Sequence, residues 1–214
     1  ILDPLLTTSL PASITAATGI DAMVHAIEGY TSRGANNNPI SKILATQSLS
    51  LLGANIELAV TDGTNIKARG AMLLGSLLAG MAFANSPVAA VHALAYPIGG
   101  TFHVPHGLSN ALVLPHVLRF NAPAAAQEYA ELAPFIFPNI DTTQSSQEVC
   151  AEFIDRMAAL SATVGLQQKL REVSITAGDL PTMASDAMKQ TRLLVNNPRK
   201  VTEQDALAIY QAAW

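Results

Sequence analysis

Asp21 and His25 stand four residues apart in TGIDAMVHAIEG. On a helix that spacing puts both side chains on one face, about 40° apart and one turn displaced. A carboxylate oxygen and an imidazole nitrogen so placed can grip one metal ion, and the pair suits ferrous iron or zinc better than magnesium or copper. Plainer readings exist for each. Thr18 and Asp21 match the capping-box form, in which the acid satisfies a free N–H at a helix start, and a lone helical histidine commonly fills a packing role. Further along, VHALAYPIGGTFHVPHGLSNALVLPHVLRFN carries His92 and His106 on either side of a turn expected at Pro97–Gly100. Two histidines on different elements can converge. Four donors from two chain regions would leave room for one exchangeable oxygen, which is what Lewis-acid catalysis needs.

Other reactive side chains are less pointed. His103 lies near the same turn and could line a pocket or pass a proton, though an exposed turn histidine accounts for it equally well. Glu28, three residues after His25, could orient an imidazole, but a surface acid on a helix is the simpler expectation. His116 is expected to be a donor at a helix-packing position. Cys150 has nothing nearby to lower its pKa and is expected to be buried and inert.

The elements that must position these groups are helices. Long segments rich in Ala, Leu and Met replace the alternating runs of strands, and no Asn-Gly or Asp-Gly joins two such runs, so the fold class is all-α. The pattern predicts a short helix from Pro11, a break near Gly19, and a helix to about Thr31. Further helices are predicted over Ser41–Val60 and Asn65–Ala84. Gly70, Gly75 and Gly80 recur in the latter, where each costs about 1 kcal/mol if exposed, and so point to close helix contacts in a buried bundle. Helices near Ala89–Ala95 and Gly107–Leu118 should flank the Gly99-Gly100 turn, with a break at Asn121-Ala122-Pro123. Segments at Ala125–Ala133, Gln147–Val164, Leu180–Leu194 and Thr202–Ala213 complete the pattern. With no repeat or linker, 1–214 reads as a single domain.

Composition narrows the function classes. The formal net charge is −4 and no Lys/Arg cluster occurs, so a nucleic-acid partner is not expected. Charged residues make up 13% of the chain against about 25% for ordinary domains, which suggests a missing neighbour to cover apolar surface. The apolar run Ala71–Ala84 ends at Asn85 and Pro87, short of the roughly 20 residues of a membrane span, and reads as a core helix. One cysteine fits a reducing compartment, with cytoplasm the default. Neither G-x-G-x-x-G after a strand nor a P-loop is present, so no dinucleotide loop is visible. Ile1-Leu2-Asp3-Pro4 resembles a strand running into a turn without initiator methionine or signal peptide, and the chain is expected to begin mid-protein.

TGIDAMVHAIEGY and HALAYPIGGTFHVPHG resemble the two signature segments of the iron-containing, or group III, alcohol dehydrogenases. LDPLLTTSLPASITAATG, LLGSLLAGMAFANS, NALVLPHVLRFN and NNPR resemble family sequence in family order, so the likeness covers essentially the whole chain. The resemblance implies the C-terminal helical metal-binding domain of the fold shared with dehydroquinate synthase, without the N-terminal α/β nucleotide-binding domain. It implies Asp21, His25, His92 and His106 as ligands of Fe2+, with Zn2+ the alternative. It also implies hydride transfer from an alcohol to NAD or NADP, the nucleotide being gripped mainly by the missing domain, its expected partner. One turn after His92 the family often has a second histidine near nicotinamide and substrate; here it is Tyr96, better suited to wall the pocket or donate a hydrogen bond. An alcohol or aldehyde is the expected substrate, and self-association into a homo-oligomer stays open. The isolated chain is expected to be inactive. Glycerol dehydrogenase or maleylacetate reductase chemistry, and a non-catalytic helical fragment whose site stays empty, are the alternatives.

Overall fold

The computed structural model describes residues 1–214 and contains helices but no strand. Helix α1 (Ala12–Thr31) runs unbroken through Gly19 and packs against three others, α2 (Pro39–Thr61), α3 (Ile66–Asn85) and α5 (His106–Ile136). Gly19 is not a break. A Cβ there would lie 2.8 Å from both Ile56 Cδ1 and Met72 Cε, so the missing side chain lets α2 and α3 close on α1. Ala16, Ala17, Ile20, Met23, Val24 and Ile27 are buried on one face of α1, while on the opposite face Ile14 and Thr18 are exposed and Asp21 and His25 are half-buried. The N-terminal residues likewise differ from expectation. Pro4–Thr7 form one turn of 3₁₀ helix, with the Asp3 carboxylate accepting from Leu5 N, instead of a strand end.

Asparagines start the next two helices. Asn38 accepts from the N–H groups of Ile40 and Ser41 with Pro39 in the first turn, and Asn65 accepts from Ala68 N, as good N-caps do. The α2–α3 hairpin is pinned where Ser48 Oγ donates to Gly75 O at 2.7 Å. A Cβ on Gly75 would come within 2.8 Å of Leu52. Gly70 meets only Pro4 at 3.9 Å and Gly80 meets nothing within 4 Å, so close packing accounts for one of the three glycines. Nor is α3 a core helix. Leu74, Leu77 and Met81 are exposed, and in the most apolar stretches of α2 and α3 only 33% and 28% of residues are buried. Both helices are long and apolar enough to cross a membrane by length and composition alone, which the expectation of a short apolar run missed.

Helix α4 (Ala90–Phe102) continues through Pro97, Gly99 and Gly100. The predicted turn falls three residues later, where His103 takes a left-handed conformation (φ 56°) and ends the helix. Similarly, α5 extends over 31 residues through Pro115, Pro123 and Pro134, erasing the expected break at Asn121. Each proline removes one ladder hydrogen bond, but buried residues from Leu108 to Ile136 hold these turns in place, and tertiary packing overrides propensity.

The remaining helices close the core. Ser145 and Glu148 form a capping box at α6 (Ser146–Thr163), and Thr202 and Asp205 form another at α9 (Glu203–Ala213). The predicted segment Leu180–Leu194 is two helices, α7 (Leu180–Ala187) and α8 (Thr191–Leu194). Tyr210 donates from its hydroxyl to Leu94 O at 2.6 Å, tying α9 to α4. Asn121 and Asn197 exchange amide hydrogen bonds at 3.0 and 2.7 Å, which fixes the NNPR segment to α5. Cys150 is buried, and burial pushes its thiol up to about 11.

Candidate metal centre

Asp21 and His25 lie on α1, His92 in the first turn of α4, and His106 at the first residue of α5. The three helices bring Asp21, His25 and His92 into one group, with His106 beside Asp21 at its edge and outside that group. His25 Nε2 and His92 Nε2 are 3.0 Å apart. Asp21 Oδ1 is 3.7 Å from both His92 Nε2 and His106 Nε2. One donor atom each from Asp21, His25 and His92 lies within 4.8 Å of the others. Thr18 and Asp21 are not a capping box: Thr18 sits inside α1, its hydroxyl donating to Ile14 O at 2.8 Å, so the carboxylate is free for the cluster.

Glu28 corrects the expectation of a surface acid. It is buried, and its carboxylate accepts from Ala89 N (2.9 Å), Val91 N (2.7 Å) and His92 Nδ1 (2.7 Å). Ala89, the residue just before α4, has no side chain able to cap the helix, so Glu28 on α1 does that work from a neighbouring helix. With its Nδ1 proton held by Glu28, His92 turns Nε2 toward the cluster. Burial opposes protonation of His92, but the Glu28 hydrogen bond and charge, aided by Asp21, outweigh it and raise the imidazole above its ordinary range. His25 goes the other way. Burial first, then the neighbouring His92 and His106, push it down to about 4 against the pull of Asp21 and Glu28.

Three further residues shape the site without having been singled out in the sequence. Asn110 donates from Nδ2 to Asp21 Oδ1 at 2.6 Å and lies 3.2 Å from His106 Nε2, while its own Oδ1 is buried with no partner. Its position one turn after His106 was a legible signal. Phe83 stacks on His25, ring centroids 4.6 Å apart, and nothing in its own segment marked it. At Gly107 a Cβ would sit 2.4 Å from Ala17 O, so only glycine lets the start of α5 press on α1 and deliver His106.

The cluster opens on one side. The His106 side chain is 52% exposed, while those of His92 and Glu28 are each 5% exposed. Tyr96 stands half-exposed, its ring 6.4 Å from that of His106. His103 is exposed at the end of α4 and forms no hydrogen bond, ion pair or ring contact with the four. His116 is half-buried on α5, away from the cluster, and is pushed down to about 4 by burial, then by Arg119 and Lys169.

The donor set fits a borderline transition metal. Three imidazoles and one carboxylate are the ligands that ferrous iron and zinc accept, and His92 is already oriented by a buried carboxylate. The model for the Fe-containing alcohol dehydrogenase family, C-terminal, matches residues 15–214. The chain belongs to the Fe-containing alcohol dehydrogenase family. It is 42% identical over 214 residues to 1,3-propanediol dehydrogenase of Citrobacter freundii, covering all of this chain and 54% of the relative. Long-chain-alcohol dehydrogenase 1 of Geobacillus thermodenitrificans is 40% identical over the same length, with 53% of it covered. A crystal structure of 1,3-propanediol oxidoreductase superposes with a TM-score of 0.94 at 40% identity, over 99% of this chain and 55% of that one. The chain thus spans about half the length of the relatives it matches. Its helices are the C-terminal helical domain of the Fe-containing alcohol dehydrogenases.

Proposed function

We propose that residues 1–214 form the metal-holding, substrate-side domain of an NAD(P)-dependent alcohol dehydrogenase, with Asp21, His25, His92 and His106 as ligands of ferrous iron, zinc being the alternative. The observation that carries this reading is the meeting of His25 Nε2, His92 Nε2 and Asp21 Oδ1, with Glu28 locking His92 from behind. When bound, such a metal supplies Lewis acidity that lowers the proton affinity of an alcohol oxygen as hydride leaves for nicotinamide. The chain's residues set the stage. Glu28 keeps the proton on His92 Nδ1, Asn110 holds Asp21 Oδ1, and Phe83 backs His25. The exposed side, bounded by His106 and Tyr96, is where an alcohol or aldehyde approaches, with Tyr96 as wall and its hydroxyl as an available donor. His103, without contact to the cluster, stays outside this set. The nucleotide belongs to an N-terminal domain, so this chain alone is expected not to reduce NAD, because nothing holds the hydride acceptor at bonding distance. A reducing cytoplasmic compartment suits its single thiol.

Metal analysis after anaerobic loading with ferrous iron or zinc tests the ligand set. One equivalent is expected for the chain and a loss in Asp21→Ala and His92→Ala, with helicity checked by circular dichroism. Full occupancy in both variants would sink the assignment. Alcohol-dependent NAD reduction by the chain alone would overturn the division of labour between domains.

A further inference from the structure

Asn110 touches two of the four candidate ligands, one on each of two helices. It lies on α5 one turn after His106 and is 0% exposed. Its Nδ2 group donates to Asp21 Oδ1 at 2.6 Å and lies 3.2 Å from His106 Nε2, whereas its Oδ1 is buried with no partner. Those neighbours fix which way round the amide stands. Turned over, it would set its oxygen against Asp21 Oδ1, two acceptors face to face, which costs more than one unsatisfied acceptor. The orientation has a consequence for His106. An amide nitrogen has protons to give and no lone pair to accept with. The contact at 3.2 Å is therefore a hydrogen bond only when His106 Nε2 is bare and the imidazole proton sits on Nδ1.

We propose that Asn110 is a positioning residue that sets the tautomer of His106, keeping Nε2 free of its proton until a metal takes that nitrogen. The proposal rests on the reading of His106 as a ligand. Glu28 achieves the same for His92 from the opposite nitrogen, by accepting the Nδ1 proton at 2.7 Å. His106 is 52% exposed and is paired with no carboxylate through Nδ1, so its tautomer is set from the Nε2 side instead. Nε2 has a single lone pair, which Asn110 and a metal cannot share. Loading must break the bond from Asn110 to His106, while Asp21 Oδ1, with a second lone pair, can keep its own. This competition fits the place of His106, 3.7 Å from Asp21 Oδ1 and outside the tighter group of three.

Nitrogen-15 NMR of the full chain, labelled on histidine and asparagine, tests the proposal at a pH above the histidine range, where neutral imidazoles are read. The His106 signals are assigned by their loss in His106→Ala. In the metal-free protein His106 is expected to show a bare Nε2 and a protonated Nδ1. Asn110→Leu, of similar size but without a donor, should shift it to the Nε2–H form that free histidine favours. Zinc should move the Asn110 Nδ2 signal together with that of His106 Nε2, and zinc affinity should fall about 10–100-fold in Asn110→Leu. A protonated Nε2 in the metal-free parent, or an unchanged tautomer in Asn110→Leu, would overturn the proposal, and the parent spectrum decides even if the variant does not fold. A chain that took up no zinc would count against the ligand set alone, because the tautomer is read without metal.

Discussion

Helices α1 and α3 are both 20 residues long and sit side by side, yet their composition and their placement run in opposite directions. α1 carries Asp21, His25 and Glu28 and buries 14 of its 20 residues, leaving open its first residues and the face of Ile14, Thr18, Asp21 and His25. α3 is dominated by Leu, Ala and Met, yet it buries little besides Ala68, Arg69, Gly75, Ala79 and Ala82. The difference lies in what each acidic or basic group finds. Glu28 meets two backbone N–H groups and an imidazole, so burying it is compensated, whereas an apolar side chain on α3 is buried only if another element arrives to cover it. Where a helix lies is thus decided by its partners, and polarity alone ranks these two wrongly.

The sharpest way to break this comparison is to remove the partner that lets α1 bury an acid. Glu28→Ala would leave two N–H groups at the start of α4 and His92 Nδ1 without an acceptor. A loss of about 3–5 kcal/mol in chemical denaturation is expected, as for other broken buried pairs. The gentler Glu28→Gln removes the charge but keeps one acceptor. It should fold and bind metal about 10–100-fold more weakly, the usual cost of losing a group that orients a ligand. Unchanged metal affinity in Glu28→Gln would mean that His92 is positioned by packing alone.

Gly107→Ala comes next. The new Cβ would lie 2.4 Å from Ala17 O and 2.7 Å from Ala17 C, both backbone atoms in a buried helix that cannot step aside. A destabilisation of about 1–3 kcal/mol is expected. His106 should be displaced more than the other three, so metal affinity should fall while the Glu28–His92 pair stays intact. A variant as stable and as metal-avid as the parent would show that α5 does not depend on that close approach.

Much of this was legible in the sequence, for reasons that differ by residue. The Asp21 and His25 spacing needs only helical periodicity, and α1 supplies it. The bounds of α2, α6 and α9 follow local caps at Asn38, Ser145 and Thr202, whose hydrogen bonds are short-range. What could not be read was decided at long range. Pro97 and Pro123 look like helix ends locally, yet buried neighbours carry α4 and α5 through them. Glu28 looks like a surface acid because its donors lie more than 60 residues away. Phe83 has no local mark at all, since its partner His25 is on another helix. The family likeness reached the four clustered residues, but not the groups that hold them in place.

The smallest effect tests the α1 and α3 contrast most directly, because it places the same substitution in both helices. At Gly19 an added methyl meets Ile56 Cδ1 and Met72 Cε, each at 2.8 Å and each the end of a flexible side chain. Those ends can shift, so Gly19→Ala should cost on the order of 1 kcal/mol, helix propensity offsetting part of the crowding. At Gly80 the methyl meets nothing within 4 Å, and Gly80→Ala should stabilise by about 0.5–1 kcal/mol through propensity and a less flexible unfolded chain. Opposite signs for one substitution on adjacent helices, measured as melting temperatures, are the expected result. If Gly80→Ala were destabilising instead, something in the working assembly would cover the outer side of α3, and the exposure of Leu77 and Met81 would belong to the isolated chain alone.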